Sequence, residues 1–303
     1  MMYEVLYLGD TGLTVYALLM ALLTLSAIGA GAVLAPRRGI RPLHMVCYGA
    51  LAACLGLLLG RGIYCAVCWY DVFLDEMGQF RGVAPFFDPT LGSVNVMGVA
   101  AGVLLAAPVT AALTRQRAAS FLDAAAGPAL AVYVLARAIE PLSGQGYGDF
   151  MGHEVCVCWL EAVLTAVLLG FIPLLRRKAR RPGTLAQLAL ALWCLVQILP
   201  ESLRCDEALF VLVFARVTHL GLAFTLGIML IRLLVQHARH GLPAKDIAVD
   251  AIAFAAGIGL CIATIFALDK TNLPKLLVYA GMLLSIAELG FILCRRIKKE
   301  DLR

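Results

Sequence analysis

The chain has 303 residues, 62% of them hydrophobic and 15% charged, and its mean hydropathy is +0.89. This composition lies outside the range of soluble globular domains and indicates a membrane protein. The net charge of +5 comes from Lys and Arg in short loops, where they set membrane orientation, so we expect no nucleic-acid partner. Most of the ten cysteines lie inside apolar runs, where cysteine behaves as a small hydrophobic residue.

Nine apolar runs approach the roughly 20 residues that a helix needs to cross a bilayer. In chain order they cover residues 12–35, 45–70, 92–113, 120–138, 155–175, 184–203, 208–235, 249–268 and 276–294. Glu4 and Asp10 are the only charges before the first run, which is too long for a signal peptide, so we expect this run to be retained. The predicted fold class is therefore an all-α polytopic membrane protein.

The loops between the runs alternate in charge. Basic loops follow the odd-numbered runs, as at Arg37 and Arg176, whereas acidic loops follow the even-numbered runs, as at Asp71 and Asp149. By the positive-inside rule, the N-terminus lies outside and the C-terminus in the cytoplasm. The acidic loop over 71–91 is predicted to form a short arm on the membrane surface. Residues 241–250 are predicted to be a hinge between a seven-span body, 1–240, and a two-span addition, 241–303.

Ionisable side chains inside membrane spans are costly to insert, so each one marks a candidate functional position. Here they collect near the predicted outer ends of the runs and include Arg61, Arg137, Glu140, Glu161, Glu201, Arg204, Arg216 and His219. Several stand three residues apart, which places both side chains on one helix face. Two interpretations stay open: self-neutralising pairs that hold helices together, or arginines that converge on an anionic lipid headgroup, for which the guanidinium fork is suited.

The stretch LARAIEPLSGQGYGDF, residues 135–150, carries Arg137 and Glu140 straight into a glycine-rich loop. Glycines at 144, 146 and 148 allow the backbone to approach a ligand closely, or they form a tight outer turn. Cysteines at 65, 68, 156, 158 and 205 lie near the same predicted level, and a metal site or a disulfide there stays open as an alternative. Helical spacing in apolar runs is poor evidence for either, so we predict no metal site.

The glycine-rich stretch resembles the signature of the prolipoprotein diacylglyceryl transferases, which runs Gly-Arg-x-Gly-Asn, then Asn-Gly-Glu, then tryptophan and glycine. Arg137 and two glycines match in register, whereas Glu140 and Gln145 stand where the family has asparagine and glutamate. Met97 and Gln197 also differ, since the family has histidine and arginine there. Further matching positions are Tyr16, Gly60, Arg61, Asn95, Gly98, Asp123, Pro128, Glu201 and Arg204, and the last two runs have no counterpart.

The resemblance implies a multi-pass enzyme of the bacterial cytoplasmic membrane whose active site faces the outer leaflet. It would transfer a diacylglyceryl group from phosphatidylglycerol to the lipobox cysteine in a prolipoprotein signal peptide, without a cofactor. Arg137 would hold the departing phosphate, with Arg61 and Arg204 in support. Other residues expected to contact the lipid are Tyr16, Asn95, Gly144, Gln145, Gly148, Glu201 and Arg216.

The transfer also needs a base that takes the thiol proton. We expect His219 to be this base rather than Glu140, because imidazole titrates near neutral pH whereas a glutamate beside Arg137 is too acidic. An ordinary hydrogen-bonded role for His219 stays open. The alternative functions are transfer to a different acceptor, and a noncatalytic lipid-binding membrane protein or transporter that keeps the fold without the chemistry.

Overall fold

A computed structural model describes residues 5–8, 11–88, 93–205, 216–241 and 243–302 of the chain, with the backbone alone over 5–8 and 11–14 and at 269 and 300. The described residues form ten α-helices: α1 Val15–Leu34, α2 Pro42–Val67, α3 Trp69–Phe73, α4 Val96–Thr114, α5 Ala118–Ile139, α6 Val157–Lys178, α7 Thr184–Leu203, α8 Val217–Arg239, α9 Ala244–Lys270 and α10 Lys275–Asp301. Two antiparallel hairpins accompany them: β1 Val5–Leu8 with β2 Thr11–Thr14 precedes α1, and β3 Tyr147–Phe150 with β4 His153–Cys156 lies between α5 and α6.

Within this described part of the chain, nine helices are long and apolar enough to cross a membrane, and only the short α3 is not. The prediction of a largely helical, multi-pass membrane protein is therefore confirmed. The number of helices that cross the bilayer and the orientation of the termini stay predictions.

Two boundaries differ from the sequence prediction. Residues 12–14, assigned to the first run, belong to β2, so α1 begins at Val15 and the all-α assignment needs two short hairpins added. Threonine at 11 and 14 favours this extended backbone because its branched Cβ fits a strand better than a helix. The hinge predicted over 241–250 was too long, since α9 begins at Ala244. Positions 208–215 of the seventh run lie outside the described residues.

The chain divides into two compact units. Among the described residues, the first unit holds 5–8, 11–23, 126–205, 219–241 and 243–302, and the second holds 24–88, 93–125 and 216–218. Helices α9 and α10 thus belong to the same unit as α6 and α7. The domain boundary at residue 240 stays a prediction.

In the second unit, α2 and α4 pack through glycines. A Cβ placed on Gly98 would lie 2.5 Å from the backbone of Gly60, and one on Gly102 would lie 2.3 Å from the amide nitrogen of Gly56. Each helix therefore presents two glycines four residues apart, the small-xxx-small spacing that brings helix backbones close together in membranes. A Cβ on Gly60 would likewise lie 2.4 Å from the Val94 side chain, so positions 60, 98 and 102 have no room for a side chain.

Arg61, also in the second unit, holds the segment that follows α3. The side chain is buried, and its guanidinium donates to the carbonyl oxygens of Phe86, Pro85 and Asp88 at 2.9 Å and of Ser93 at 3.3 Å. Carbonyl oxygens thus accept hydrogen bonds from all three nitrogens of the guanidinium. The arm predicted over 71–91 is described as far as residue 88, and this part contains the end of α3, an isolated bridge between Leu74 and Phe80, and a short 3-10 turn over Ala84–Phe87. Residues 89–91 lie outside the described residues.

In the first unit, α10 runs antiparallel along α7. The hydroxyl of Ser202 near the end of α7 contacts the sulfur of Met282 at 3.7 Å, while Asp301 at the end of α10 accepts hydrogen bonds at the start of α7. Its donors are the hydroxyl of Thr184 and the backbone amides of Arg180 and Arg181, at 2.8 to 3.1 Å. Helix α10 therefore contacts α7 near both of its ends.

Asp301 lies beyond the apolar part of α10. Burial raises the pKa of its carboxyl, but the hydrogen bonds from the Arg181 amide, the Thr184 hydroxyl and the Arg180 amide outweigh burial, so the pKa is lowered from the ordinary value of 3.8. The ionised carboxylate is thus the form that stabilises the start of α7.

Candidate functional site

Four charged side chains meet where several elements of the first unit end. Arg137 lies in the last turn of α5, Glu140 opens the 3-10 turn that follows it, Glu161 lies in the second turn of α6, and Arg204 caps the end of α7. Arg137 and Glu140 were predicted to share one helix face, and the structure pairs them. We call these four residues the charged quartet.

The quartet is a closed ring in which each carboxylate bridges both arginines. Glu140 lies 2.5 Å from Arg137 Nη1 through one oxygen and 2.5 Å from Arg204 Nη2 through the other. Glu161 likewise lies 2.6 Å from Arg137 Nε and 3.3 Å from Arg204 Nη1. This geometry fixes the two guanidinium groups in one place. It also joins distant parts of the chain, since Glu140 and Arg204 are 64 residues apart in sequence.

The quartet is almost shielded from solvent, and its charges balance. The side chain of Glu161 is 1% exposed and that of Glu140 is 8% exposed, against 14% for Arg137 and 10% for Arg204. Two guanidinium groups and two carboxylates give a formal charge of zero. Because each buried charge faces two opposite charges, removing any one member leaves an uncompensated charge in the interior.

Tyr133 extends the quartet towards α7. Its hydroxyl accepts a hydrogen bond from Arg137 Nε at 2.9 Å and lies 2.9 Å from Glu161 Oε2 and 2.7 Å from Gln197 Oε1. A phenol has a single proton, so it donates to one of these two oxygens at a time. Gln197 in turn donates to the hydroxyl of Thr165 at 3.2 Å. Hydrogen bonds therefore run without interruption from Thr165 to the quartet.

The aromatic ring of Tyr133 is itself held on both sides. The guanidinium carbon of Arg137 lies 5.0 Å from its centroid, a cation–π contact, and the ring of Trp193 packs edge-on at 5.4 Å. Trp193 is buried, and its indole N–H has no hydrogen-bond partner among the described residues. Tyr133 thus positions Arg137 through its hydroxyl and its ring together.

The glycine-rich loop closes over the quartet as a hairpin. A Cβ on Gly148 in β3 would lie 2.1 Å from the carbonyl oxygen of Leu203, and Gly148 forms an isolated bridge with Arg204. The β3–β4 turn has positive φ at both Met151 and Gly152, the geometry of a two-residue type I′ turn. The absence of a side chain at Gly148 therefore lets β3 reach the end of α7 and fixes Arg204.

Other residues predicted for the site are distributed between the two units. In the first unit, Glu201 is buried, Tyr16 and His219 are half-buried, and Gly144 and Gln145 are exposed in the turn before β3. Arg61, Asn95 and Arg216 belong to the second unit. The side chain of Asn95 accepts from the amide of Met97 at 2.9 Å and so caps α4. Lipid contact by these residues stays a prediction.

His219, the predicted base, has one ring nitrogen fixed by the backbone. Its Nε2 lies 3.3 Å from the carbonyl oxygen of Ile198. A carbonyl only accepts, so in the neutral ring Nε2 carries the hydrogen and Nδ1 carries the lone pair. This tautomer is the one that can accept a proton at Nδ1.

The sequence analysis placed Glu161 at the depth of the site but gave it no role, and it did not include Tyr133 or Thr165. A role for Glu161 as a partner of Arg137 and Arg204 could have been predicted, because an acidic residue in an apolar run needs a cation. Nothing in the sequence pointed to Tyr133 or Thr165. Among the described residues, no group of three or more His, Cys, Asp and Glu side chains is placed to hold a metal ion.

Comparison with known proteins found no family model that matches the chain, and no curated protein matches it either.

Proposed function

We propose that the protein transfers a diacylglyceryl group from phosphatidylglycerol to the cysteine thiol of a prolipoprotein signal peptide, at the outer leaflet of a bacterial cytoplasmic membrane. The proposal is supported by one observation above all. Arg137 and Arg204, the arginines that the resemblance assigns to the phosphate, form ion pairs with the same two carboxylates. Because one arginine lies in α5 and the other at the end of α7, their positions in the sequence do not predict that they lie together.

In this reaction the peptide thiolate attacks the glycerol carbon that bears the phosphate. A C–S bond forms, the C–O bond to phosphate breaks, and glycerol phosphate leaves with the electron pair. The enzyme lowers the barrier by stabilising the charge that builds on the leaving phosphate. Two guanidinium groups held at a fixed spacing are suited to this task, because each offers a planar fork of donors to phosphate oxygens.

The thiol proton requires an acceptor, for which we propose Nδ1 of His219. The Ile198 carbonyl favours the tautomer in which that nitrogen carries the lone pair. Glu140 and Glu161 are poorer candidates, because both oxygens of each carboxylate are already engaged by the two arginines.

The decisive experiment uses purified protein in phosphatidylglycerol vesicles with a peptide that carries a lipobox cysteine. We expect a gain of the diacylglyceryl mass on the peptide, release of glycerol phosphate, and no reaction when the peptide cysteine is replaced by serine. Arg137→Lys should lower turnover by about 100-fold or more in a folded protein, because Lys lacks the bidentate fork.

The matched control is Arg81→Lys, since Arg81 is exposed and belongs to the second unit. Its turnover should equal that of the unaltered protein. Undiminished turnover in Arg137→Lys would refute the assigned role. Absence of product with an active family enzyme assayed in parallel would refute the reaction.

A noncatalytic lipid-binding protein is the second candidate, and the balanced charge of the quartet favours it. Two arginines that already face two carboxylates hold the helices together without any ligand. On this alternative the vesicle experiment gives neither lipidated peptide nor glycerol phosphate, while the protein still binds phosphatidylglycerol. Glycerol phosphate release without peptide modification would instead indicate another acceptor.

A further inference from the structure

Two cysteine sulfurs touch at the junction of β4 and α6. Cys156 is the last residue of β4, Cys158 is the second residue of α6, and their Sγ atoms lie 3.0 Å apart. Both are free thiols in the structure. Two residues of chain span about 7 Å at most, which lies near the upper limit of the Cα separation that a disulfide tolerates. A disulfide therefore requires only a small approach of the two sulfurs.

The strand-to-helix junction explains why these sulfurs meet. Cys156 has extended backbone, with φ −80° and ψ 90°, and the helix begins at the next residue. In a continuous strand, residues two apart point to the same face about 7 Å apart, and in a helix they point away from each other. The change of backbone between the two cysteines turns both side chains towards one point.

The surroundings of the pair hold Cys158 against the glycine-rich loop. Its amide donates to the carbonyl oxygen of Gly146 at 3.1 Å. Gly146 has φ +93°, and a Cβ there would lie 2.6 Å from Cys158 Sγ and 3.5 Å from Cγ of Glu140. The sulfur of Cys158 thus packs directly behind the loop that carries Glu140, a member of the charged quartet.

The two thiols differ in exposure, which sets the order of reaction. Cys158 is completely buried, whereas Cys156 is half-buried. A small disulfide can therefore reach Cys156 first. In thiol–disulfide exchange the attacking thiolate forms a mixed disulfide, and a second nearby thiol then displaces the remaining half. The neighbouring Cys158 is placed to act as this second thiol.

We propose that Cys156 and Cys158 form a reversible intramolecular disulfide with a small-molecule disulfide as the oxidant. Cys156 attacks one sulfur of the oxidant and releases one thiol. Cys158 then attacks Cys156 Sγ, forms the protein S–S bond and releases the second thiol. The protein thiols lose two electrons and two protons, and the two released thiols gain them, so the exchange is balanced.

The proposal does not depend on the transferase reaction. Forming the S–S bond shortens the distance between the two sulfurs and so displaces an atom that packs against Gly146. Oxidation is therefore expected to affect the glycine-rich loop whatever chemistry the charged quartet performs.

The test incubates the whole protein, in detergent or in lipid nanodiscs, with graded ratios of reduced to oxidised glutathione. Free thiols are then blocked, and the tryptic peptide 138–176 is weighed, because it contains Cys156 and Cys158 and no other cysteine. As the ratio becomes oxidising, we expect the peptide to carry no blocking group and to weigh about 2 Da less than the unblocked dithiol peptide. After reduction, both cysteines should again be blocked. This measurement requires no variant.

Two substitutions localise the bond. Cys156→Ser should abolish the loss of mass, whereas Cys205→Ser, which removes an exposed cysteine whose amide bonds to Tyr147, should leave it unchanged. A peptide that stays fully blocked at the most oxidising ratio would overturn the proposal. So would a persistent glutathione adduct on Cys156, or a cross-link from Cys156 to Cys205, because in each case Cys158 has failed to resolve the mixed disulfide.

Discussion

Replacing Glu161 by Gln removes one charge from the quartet while the size of the side chain is kept. Glu161 is fully buried, faces both arginines and lies 2.9 Å from the hydroxyl of Tyr133. The substitution leaves an uncompensated positive charge in the interior, which costs about 3–5 kcal/mol of unfolding free energy for a buried ion pair. We therefore expect Glu161→Gln to be among the most destabilising single-charge changes in the first unit.

A double-mutant cycle separates the charge effect from a general loss of packing. Arg204→Gln alone leaves an uncompensated negative charge and should cost a similar amount. The double variant is neutral again, with Arg137 still facing Glu140 at 2.5 Å. The two costs should therefore fail to add, with an interaction free energy of about 0.5–3 kcal/mol.

The assay is reversible unfolding in mixed micelles, followed by tryptophan fluorescence and far-ultraviolet circular dichroism. Asp149→Asn supplies the matched control, because Asp149 pairs with Lys275 at 3.7 Å while their side chains are 44% and 46% exposed. Exposed pairs contribute about 0–1 kcal/mol. The reasoning is refuted if Glu161→Gln costs no more than this control, or if the double variant costs the sum of the singles.

Two further predictions concern the scaffold. Gly98→Ala should separate α2 from α4 and destabilise the second unit by about 1–3 kcal/mol, because the new Cβ would collide with the Gly60 backbone. Gly62→Ala is the control: a Cβ at position 62 meets no atom within 4 Å, so this variant should unfold like the unaltered protein in the same assay. Asp301 has a lowered pKa, so its stabilisation is complete above the ordinary value of 3.8 and disappears as pH falls through the folded-state pKa. The stability difference between the unaltered protein and Asp301→Asn should therefore shrink on acidification from about pH 6 to about pH 3, and a difference independent of pH would contradict this assignment.

The long helices could be predicted because membrane insertion imposes one strong requirement, an apolar run of sufficient length. The β3–β4 hairpin could not, because its strands are four residues long and the stretch HEVC shows no apolar alternation. The sequence shows a glycine at position 148, but it does not show that this glycine packs against the end of α7, because that contact depends on the tertiary structure. Local sequence patterns therefore predict the long apolar helices but not the structure of the short connections between them.

The charged site shows the same limit. The pair Arg137–Glu140 follows from helical spacing, which the chain keeps up to residue 139. Arg204 is a cap residue with φ −63° and ψ 138°, and its side chain meets Glu140 and Glu161, which lie on other elements. Spacing within one helix cannot identify partners on another helix, so it does not predict these two contacts.

Within the proposed function, a phosphate that enters the neutral quartet must replace one of its carboxylates. Glu140 is the member that gives way, because it lies in a 3-10 turn beside the glycine-rich loop and is 8% exposed, whereas Glu161 is 1% exposed within α6 and adjoins Tyr133. Glu140→Gln should therefore retain turnover with tighter phosphatidylglycerol binding, while Glu161→Gln should lose turnover as the arginines lose their fixed spacing. Equal loss of turnover in both variants would mean that the quartet acts as one rigid unit and that the phosphate binds elsewhere.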